Sequence, residues 1–168
     1  MNEKLILLLM LSLAGCAVNQ ATLVSIKAPF DTAEVKRLVG EGNNTIKGNA
    51  LMRQSGGGVV TCAGFPVALT PVTAYSNERI FSLYQSNENG VNQGRNYKFS
   101  PDPPEYYSLA RKTTCDAQGN FAFEHLPDGS FYITTVIAWM VGYNQQGGNM
   151  MQRVAVSGGK VVSVVMAP

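Results

Sequence analysis

The sequence predicts a single all-β domain, a β-sandwich with one or two short helices. Glycine occurs 17 times in 168 residues, and turn-forming Asn and Asp are scattered between β-branched and aromatic runs. Several of these runs alternate apolar and polar residues at the period of two that half-buried strands show. The length fits one domain with one core.

Six segments carry this alternation and are predicted strands. They are residues 44–52, 66–72, 120–124, 130–141, 151–156 and 160–166. Segment 21–26 is a candidate first strand. Both faces of 130–141 are mostly apolar from Val136 onward, so we expect this strand to lie centrally with both faces covered.

Two segments favour short helices. Residues 30–39 contain a candidate N-cap, Asp31 or Thr32, and end before a glycine-rich stop. Residues 76–85 place Ile80, Phe81 and Tyr84 at helical spacing, which predicts a helix resting on the sheet.

The charge pattern does not indicate a nucleic-acid-binding protein. The 13 basic and 11 acidic residues nearly balance, and the basic residues are spread along the chain without a cluster.

Residues 1–15 predict a lipoprotein signal peptide. An apolar run at 5–13 follows the positive charge of Lys4 and is too short to span a bilayer. The Leu-Ala-Gly-Cys sequence that follows resembles the lipobox of bacterial lipoproteins, which implies that Cys16 becomes an acylated N-terminus. Residues 16–20 then form a lipidated tether before a domain at 21–168. An ordinary cleaved signal, with Cys16 incidental, is the alternative.

The predicted localisation is the cell envelope, with the membrane as the first partner. Two or three acyl chains suffice for stable anchoring. In the sorting rule for such lipoproteins, Asp after the acylated cysteine retains the protein in the inner membrane, and this chain has Ala17 there. We therefore expect the outer membrane, as in a Gram-negative bacterium.

The two remaining cysteines predict a disulfide. Cys62 and Cys115 form an even pair in an exported chain, where oxidation is favoured. Two free buried thiols are the alternative. A metal site is less favoured, because two distant cysteines and the one histidine of the sequence do not match a known ligand spacing.

The sequence TTCDAQGNFAFEHLPDGSFYITTV contains two predicted turns. Asp116 and Gly119 suit the first and fourth positions of a type I turn, and Pro127 suits the second position of the next turn. We expect a structural hairpin here, with Phe121 and Phe123 on its buried face.

These residues resemble the carboxypeptidase regulatory-like domain, a transthyretin-like Greek-key sandwich. Its pattern T-x-D-x-x-G-x-F-x-F-x-x-L-P-x-G-x-Y is matched by Thr114, Asp116, Gly119, Phe121, Phe123, Leu126, Pro127 and Gly129, with Phe131 in the place of tyrosine. The upstream sequences TIKGNAL and FPVALTPVTAY are similar to strands of that family, so the resemblance covers about 44–167. It implies a module that accompanies enzymes or receptors without catalysing a reaction. The chain departs from the family in a long insert between Tyr75 and Tyr106.

The residues that could carry other chemistry also have structural interpretations. His125 is more typical of a turn or surface than of a catalytic base, because no nucleophile lies at a motif distance. Asp116, Glu124 and Asp128 lack the calcium-loop spacing and suit turn capping. The methionines Met140, Met150 and Met151 suit core filling better than copper binding, and Trp139 has the phase of the core residues Ile133 and Ile137. We expect no cofactor and no metal.

The segment 86–107 is the predicted partner-binding loop. It is polar and irregular, and it carries residue types that dominate binding hot spots: Arg95, Tyr97, Phe99, Tyr106 and Tyr107. The alternative is that its aromatic side chains fold back and cover the sheet.

The sequence as a whole favours a non-catalytic envelope module that binds a protein or glycan or gives structural support. An unrecognised periplasmic hydrolase or metal-handling lipoprotein is the other hypothesis.

Overall fold

The computed structural model describes residues 21–94 and 96–168. In chain order the elements are β1 (Thr22–Ser25), α1 (Thr32–Leu38), β2 (Asn44–Arg53), β3 (Val59–Thr61), β4 (Pro66–Pro71), α2 (Ala74–Tyr84), β5 (Asn89–Asn92), β6 (Tyr97–Ser100), α3 (Glu105–Ser108), β7 (Arg111–Thr114), β8 (Asn120–Leu126), β9 (Gly129–Val141), β10 (Asn144–Val156) and β11 (Val161–Met166). The predicted all-β sandwich is confirmed, and the described residues contain three short helices where one or two were predicted. None of the helices in these two ranges is long and apolar enough to cross a membrane.

One layer of the sandwich is a five-stranded antiparallel sheet in the order β5-β10-β9-β4-β7. The central position predicted for β9 is confirmed. Its inner face packs into the core through Phe131, Ile133 and Ile137, and its outer face carries the buried Tyr132 beneath α2.

The hairpin of β9 and β10 is longer than the sequence predicts. The predicted strand starts at Met151, whereas β10 starts at Asn144 and pairs with β9 over its whole length. Glycine and amide residues fill this first half and give no alternating pattern, so the pairing is directed by the neighbouring strand. Gly142 has a φ of 59° and the following Tyr143 has a negative φ, which corresponds to a tight type II′ turn.

The second layer is built around β2. On one side β2 pairs in parallel with β11, and on the other it pairs antiparallel with β8 and β3. The core lies between the two layers and includes Phe121 and Phe123, as predicted. Trp139 is half-buried and packs against this core, so its predicted packing role is also confirmed.

The predicted hairpin around the LPDG turn is wrong. β8 pairs with β2, whereas β9 pairs with β4 and β10, so the turn carries the chain from one sheet to the other. The left-handed backbone of His125, with a φ of 56°, helps to redirect the chain. Asp128 then fixes the crossing, since its carboxylate accepts hydrogen bonds from the side chain of Asn44 and the amide of Gly158, both at 2.9 Å.

The Asp116 turn has the predicted local structure. The amide of Gly119 donates to the carbonyl of Asp116 at 3.0 Å, and the Asp116 carboxylate accepts from the amides of Gln118 and Asn120. This turn also joins strands of different layers, because β7 belongs to the five-stranded sheet and β8 to the other.

The predicted disulfide joins Cys62 and Cys115, whose Cα atoms lie 5.7 Å apart. Cys62 follows β3 of one layer and Cys115 follows β7 of the other, so the bridge ties the two sheets together. The predicted lipidation site, Cys16, lies outside the described residues.

The two predicted helices are present. α1 is capped by Asp31, and α2 begins earlier than predicted because Thr73 and Ser76 form a capping box. Ile80 and Tyr84 pack towards the sheet, but Phe81 is half-exposed, so its predicted contact with the sheet is wrong. At about 100° per residue, Phe81 lies on a different side of the helix from Ile80.

The segment 86–107, predicted to be irregular, contains β5, β6 and most of α3. β5 adds an edge to the five-stranded sheet, and β6 pairs in parallel with β1. Four-residue strands are too short to establish a period, so the alternating pattern is not visible in the sequence.

Candidate functional site

A groove of about 570 Å³ lies on the outer face of the five-stranded sheet. Strands β4, β9 and β10 form its floor, α2 forms one side, and β6 and α3 form the other. The floor carries small or polar side chains, including Ala68, Thr134 and Asn149. The pairing of β4 with β9 explains this arrangement. Ala68 lies directly opposite Thr134, so both side chains point to the same face of the sheet. Their neighbours along each strand point to the opposite face.

Arg79 is the central charged residue of the groove. It comes from α2 and is only 4% exposed. Its guanidinium donates hydrogen bonds to Asp102 at 2.6 Å, to the hydroxyl of Tyr75 at 3.2 Å, and to the hydroxyl of Tyr107. Asp102 also accepts a hydrogen bond from Tyr107 at 3.1 Å. These contacts satisfy a charge that burial would otherwise make costly.

The Arg79 guanidinium also holds the aromatic wall of the groove. It lies 3.7 Å from the ring centroid of Phe99, 4.5 Å from that of Tyr106 and 5.0 Å from that of Tyr107. Such contacts are favourable for a planar cation on aromatic faces. Tyr97 extends the wall, since its ring is stacked 6.3 Å from that of Phe99.

Burial and pairing shift the pKa values of several side chains in the groove. Burial alone would lower the pKa of Arg79, but Asp102 and the adjacent tyrosines outweigh it and raise the pKa above its usual value. Burial raises the pKa of Tyr106 to about 12, and it also raises the pKa of Tyr84. At neutral pH the groove therefore presents a paired guanidinium and uncharged phenols that can donate hydrogen bonds.

The structure brings together four of the five residues predicted to contact a partner. Tyr97, Phe99, Tyr106 and Tyr107 all line this groove, and Arg95 lies outside the described residues. The alternative that the aromatic side chains cover the sheet also describes part of the arrangement, because Phe99 and Tyr106 are half-buried. Tyr107 remains 46% exposed.

Arg79, Tyr84, Asn92 and Asn149 line the same groove and were not predicted. The sequence offered one signal for Arg79. Tyr75 and Arg79 are four residues apart, and that spacing places them on one face of α2, which begins two residues before the predicted helix.

The other residues considered for catalysis or metal binding take part in the packing and turns of the fold or lie on its surface. His125 is exposed, and its carbonyl accepts hydrogen bonds from Arg111 and from the amide of Gly42. Asp116 caps backbone amides of its own turn as predicted, whereas Asp128 accepts from the amide of Gly158, in the turn before β11. Met150 and Met151 are buried, whereas Met140 is 61% exposed, so its predicted core role is wrong. Glu124 contributes its backbone carbonyl to Arg111.

The fold and groove define a β-sandwich with an aromatic-walled cleft on one sheet. No family model matches the chain, and no curated protein sequence matches it significantly. Among solved structures, it is similar to a crystal structure of a "putative carbohydrate binding protein" from Pseudomonas aeruginosa. The TM-score is 0.67 at 23% identity, covering 84% of this chain and 99% of that chain. The similarity shows a shared fold over nearly the whole of that protein.

Proposed function

We propose that this protein is a non-catalytic envelope lipoprotein whose β-sandwich binds a glycan in the groove. The observation that carries the proposal is the aromatic wall of Tyr97, Phe99 and Tyr107 facing a floor with Thr134 and Asn149. The apolar faces of sugar rings stack on aromatic side chains, and amide and hydroxyl groups exchange hydrogen bonds with sugar hydroxyls. The groove volume falls in the range of small-ligand sites.

The chemistry of the groove favours binding over hydrolysis. A glycosidase of the usual kind needs two carboxyl groups on either side of the scissile bond. The described residues that line the groove provide amides, hydroxyls, aromatic rings, Arg79 and Lys112. Nearby Asp102 is already paired with Arg79. The name given to the Pseudomonas aeruginosa structure supports a carbohydrate ligand.

The envelope part of the proposal depends on Cys16. The lipobox supports acylation of Cys16, and the Cys62–Cys115 bridge suits an oxidising compartment. The resemblance to carboxypeptidase regulatory-like domains adds support for a module without catalysis. Mass spectrometry of the mature N-terminus should show acylated Cys16, and an unmodified residue would refute the anchor.

Saccharide titration tests the groove. The purified protein is titrated by calorimetry with maltohexaose, cellohexaose and chitohexaose, and the titrations are repeated with Tyr97→Ala and Phe81→Ala. We expect Tyr97→Ala to weaken binding at least about tenfold, as for a hot-spot residue. Phe81 is the matched control, because it is a half-exposed aromatic residue of α2 that does not line the groove. Equal losses in both variants, or no binding of any saccharide, would contradict the proposal.

A further inference from the structure

The tip of the β9–β10 hairpin exposes a group of large apolar side chains. Met140 is 61% exposed, Val141 is 56% exposed, and Tyr143 in the turn is 101% exposed. Met140 and Val141 are successive residues of β9 and point to opposite faces, and Tyr143 lies in the turn, so apolar side chains surround the end of a long, regularly paired hairpin.

The hairpin is also uncharged. The sequence contains no Asp, Glu, Lys, Arg or His between Asp128 and Arg153. Asp128 directly precedes β9, and Arg153 lies near the end of β10. Charged side chains are what makes entry into a bilayer costly, whereas Tyr is enriched at the boundary between lipid and water. The composition of the tip therefore suits a lipid surface.

The described chain begins at the same end of the domain as this tip. β5 pairs antiparallel with β10, with Asn92 opposite Asn149, so the chain after β5 runs towards the tip. Gln93 and Gly94 accordingly line a cleft together with Gln145 and Gln146 of the hairpin.

The first strand then joins this end directly. The amide of Thr22 donates to the carbonyl of Asn96 at 2.8 Å, two residues after Gly94. Leu23, the next residue, is 70% exposed and adds another apolar side chain near the start of the domain.

We propose that the β9–β10 tip contacts the lipid bilayer beside the acyl anchor and holds the domain in a fixed orientation on the membrane. This inference rests on the acylation of Cys16 in the proposed function. Five residue steps separate Cys16 from Ala21, so the domain begins within roughly 18 Å of the anchored residue. A bilayer is therefore within reach of this end of the domain, without recruitment of another molecule.

A fixed orientation has a consequence for the groove. Val136 and Asn149 line both the groove and the cleft at the base of the hairpin, so the groove extends to the hairpin base. Contact of the tip with lipid sets how far the aromatic wall stands from the membrane surface. The proposed ligand is then a glycan close to that surface.

Tryptophan quenching by brominated lipids tests the contact. The acylated full chain is reconstituted into vesicles of phosphatidylethanolamine and phosphatidylglycerol with brominated acyl chains. Because Trp139 is the single tryptophan of the sequence, Trp139→Phe gives a silent background. Tyr143→Trp then reports on the tip. Val161→Trp, at a residue 63% exposed on β11, is the matched control.

We expect loss of emission from the indole introduced by Tyr143→Trp and unchanged emission from the one introduced by Val161→Trp. Adding Met140→Ser and Val141→Ser to the tip reporter should restore its emission. Equal emission of the two reporters in brominated and unbrominated vesicles would overturn the proposal, as would crosslinking of the tip to a protein without quenching. Mass spectrometry of Cys16 tests the anchor, and the saccharide titration tests glycan binding. A negative result in either is therefore distinguishable from a tip that does not contact lipid.

Discussion

Arg79→Met should destabilise the domain strongly, because Arg79 joins α2 to the aromatic wall. Its side chain is 5% exposed, and that of its partner Asp102 is 35% exposed. Removing one partner of a fully buried pair costs about 3–5 kcal/mol. Water reaches Asp102 and reduces this penalty, but the contacts with Phe99 and Tyr106 are lost as well, at about 0.5–1 kcal/mol each. We expect the free energy of unfolding to fall by about 3 kcal/mol.

Urea denaturation with the disulfide intact measures this change. Arg153→Met is the matched control, because Arg153 pairs with Glu88 at 3.2 Å on the surface, where the side chains are 37% and 73% exposed. That exposed pair should contribute less than about 1 kcal/mol. Arg79→Lys should give an intermediate loss, since it keeps the charge but not the planar group that stacks on Phe99.

A loss for Arg79→Met no larger than that for Arg153→Met would refute the reasoning. It would mean that the hydrogen bonds and ring contacts of Arg79 only offset the cost of burying its charge. The groove would then keep its shape through packing of the aromatic rings alone.

Three further predictions concern the disulfide, the aromatic wall and the phenols. Reduction of the Cys62–Cys115 bridge should lower the free energy of unfolding by about 4 kcal/mol in the chain-entropy model, because the bridge spans 53 residues; urea curves with and without reductant measure this, and coincident curves would contradict it. Phe99→Ala should lower the melting temperature more than Tyr97→Ala, since Phe99 lies directly on Arg79; calorimetric melting compares them, and the opposite order would be evidence against the wall described here. Stability should fall as pH rises from about 10 to 12, because the unfolded state ionises its tyrosines near the ordinary pKa while burial holds the pKa of Tyr106 at about 12. Tyr106→Phe should flatten this fall in urea titrations at successive pH values, and an unchanged slope would exclude Tyr106 as its source.

The core strands could be predicted from the sequence because burial of one face imposes a period of two. Ile46, Leu69 and Ile133 lie in such runs, and all three are fully or almost fully buried. The turn from Asp116 to Gly119 was equally predictable, because the Asp116 side chain and the glycine backbone act locally.

Strand partners could not be read in the same way. β8 and β9 are adjacent in sequence and separated by a tight turn, which favours a hairpin on local grounds. They lie in different sheets because β8 buries Phe121 and Phe123 against the layer formed by β9. The assignment of β8 and β9 to different sheets therefore depends on the apolar faces of both layers, which form only when the whole sandwich assembles.

The candidate site was predicted in part for a related reason. Tyr97, Phe99, Tyr106 and Tyr107 were recognised by residue type, and the structure places them in one groove. Arg79 was missed because its pattern in a short helix is that of an ordinary exposed charge. Its burial results from rings contributed by β6 and α3, which have no periodic signal.

The parallel pairing of β2 with β11 also determines when the domain can fold. Thr45 lies opposite Val161, and the side chain of Asn44 accepts a hydrogen bond from the amide of Lys160, 116 residues away. In the export proposed above, the chain cannot complete its second sheet until β11 has emerged from the translocation channel. Contacts of such large sequence separation slow folding. Cys62 and Cys115 emerge earlier, so an oxidase can join them and shorten the remaining search before the final strand arrives.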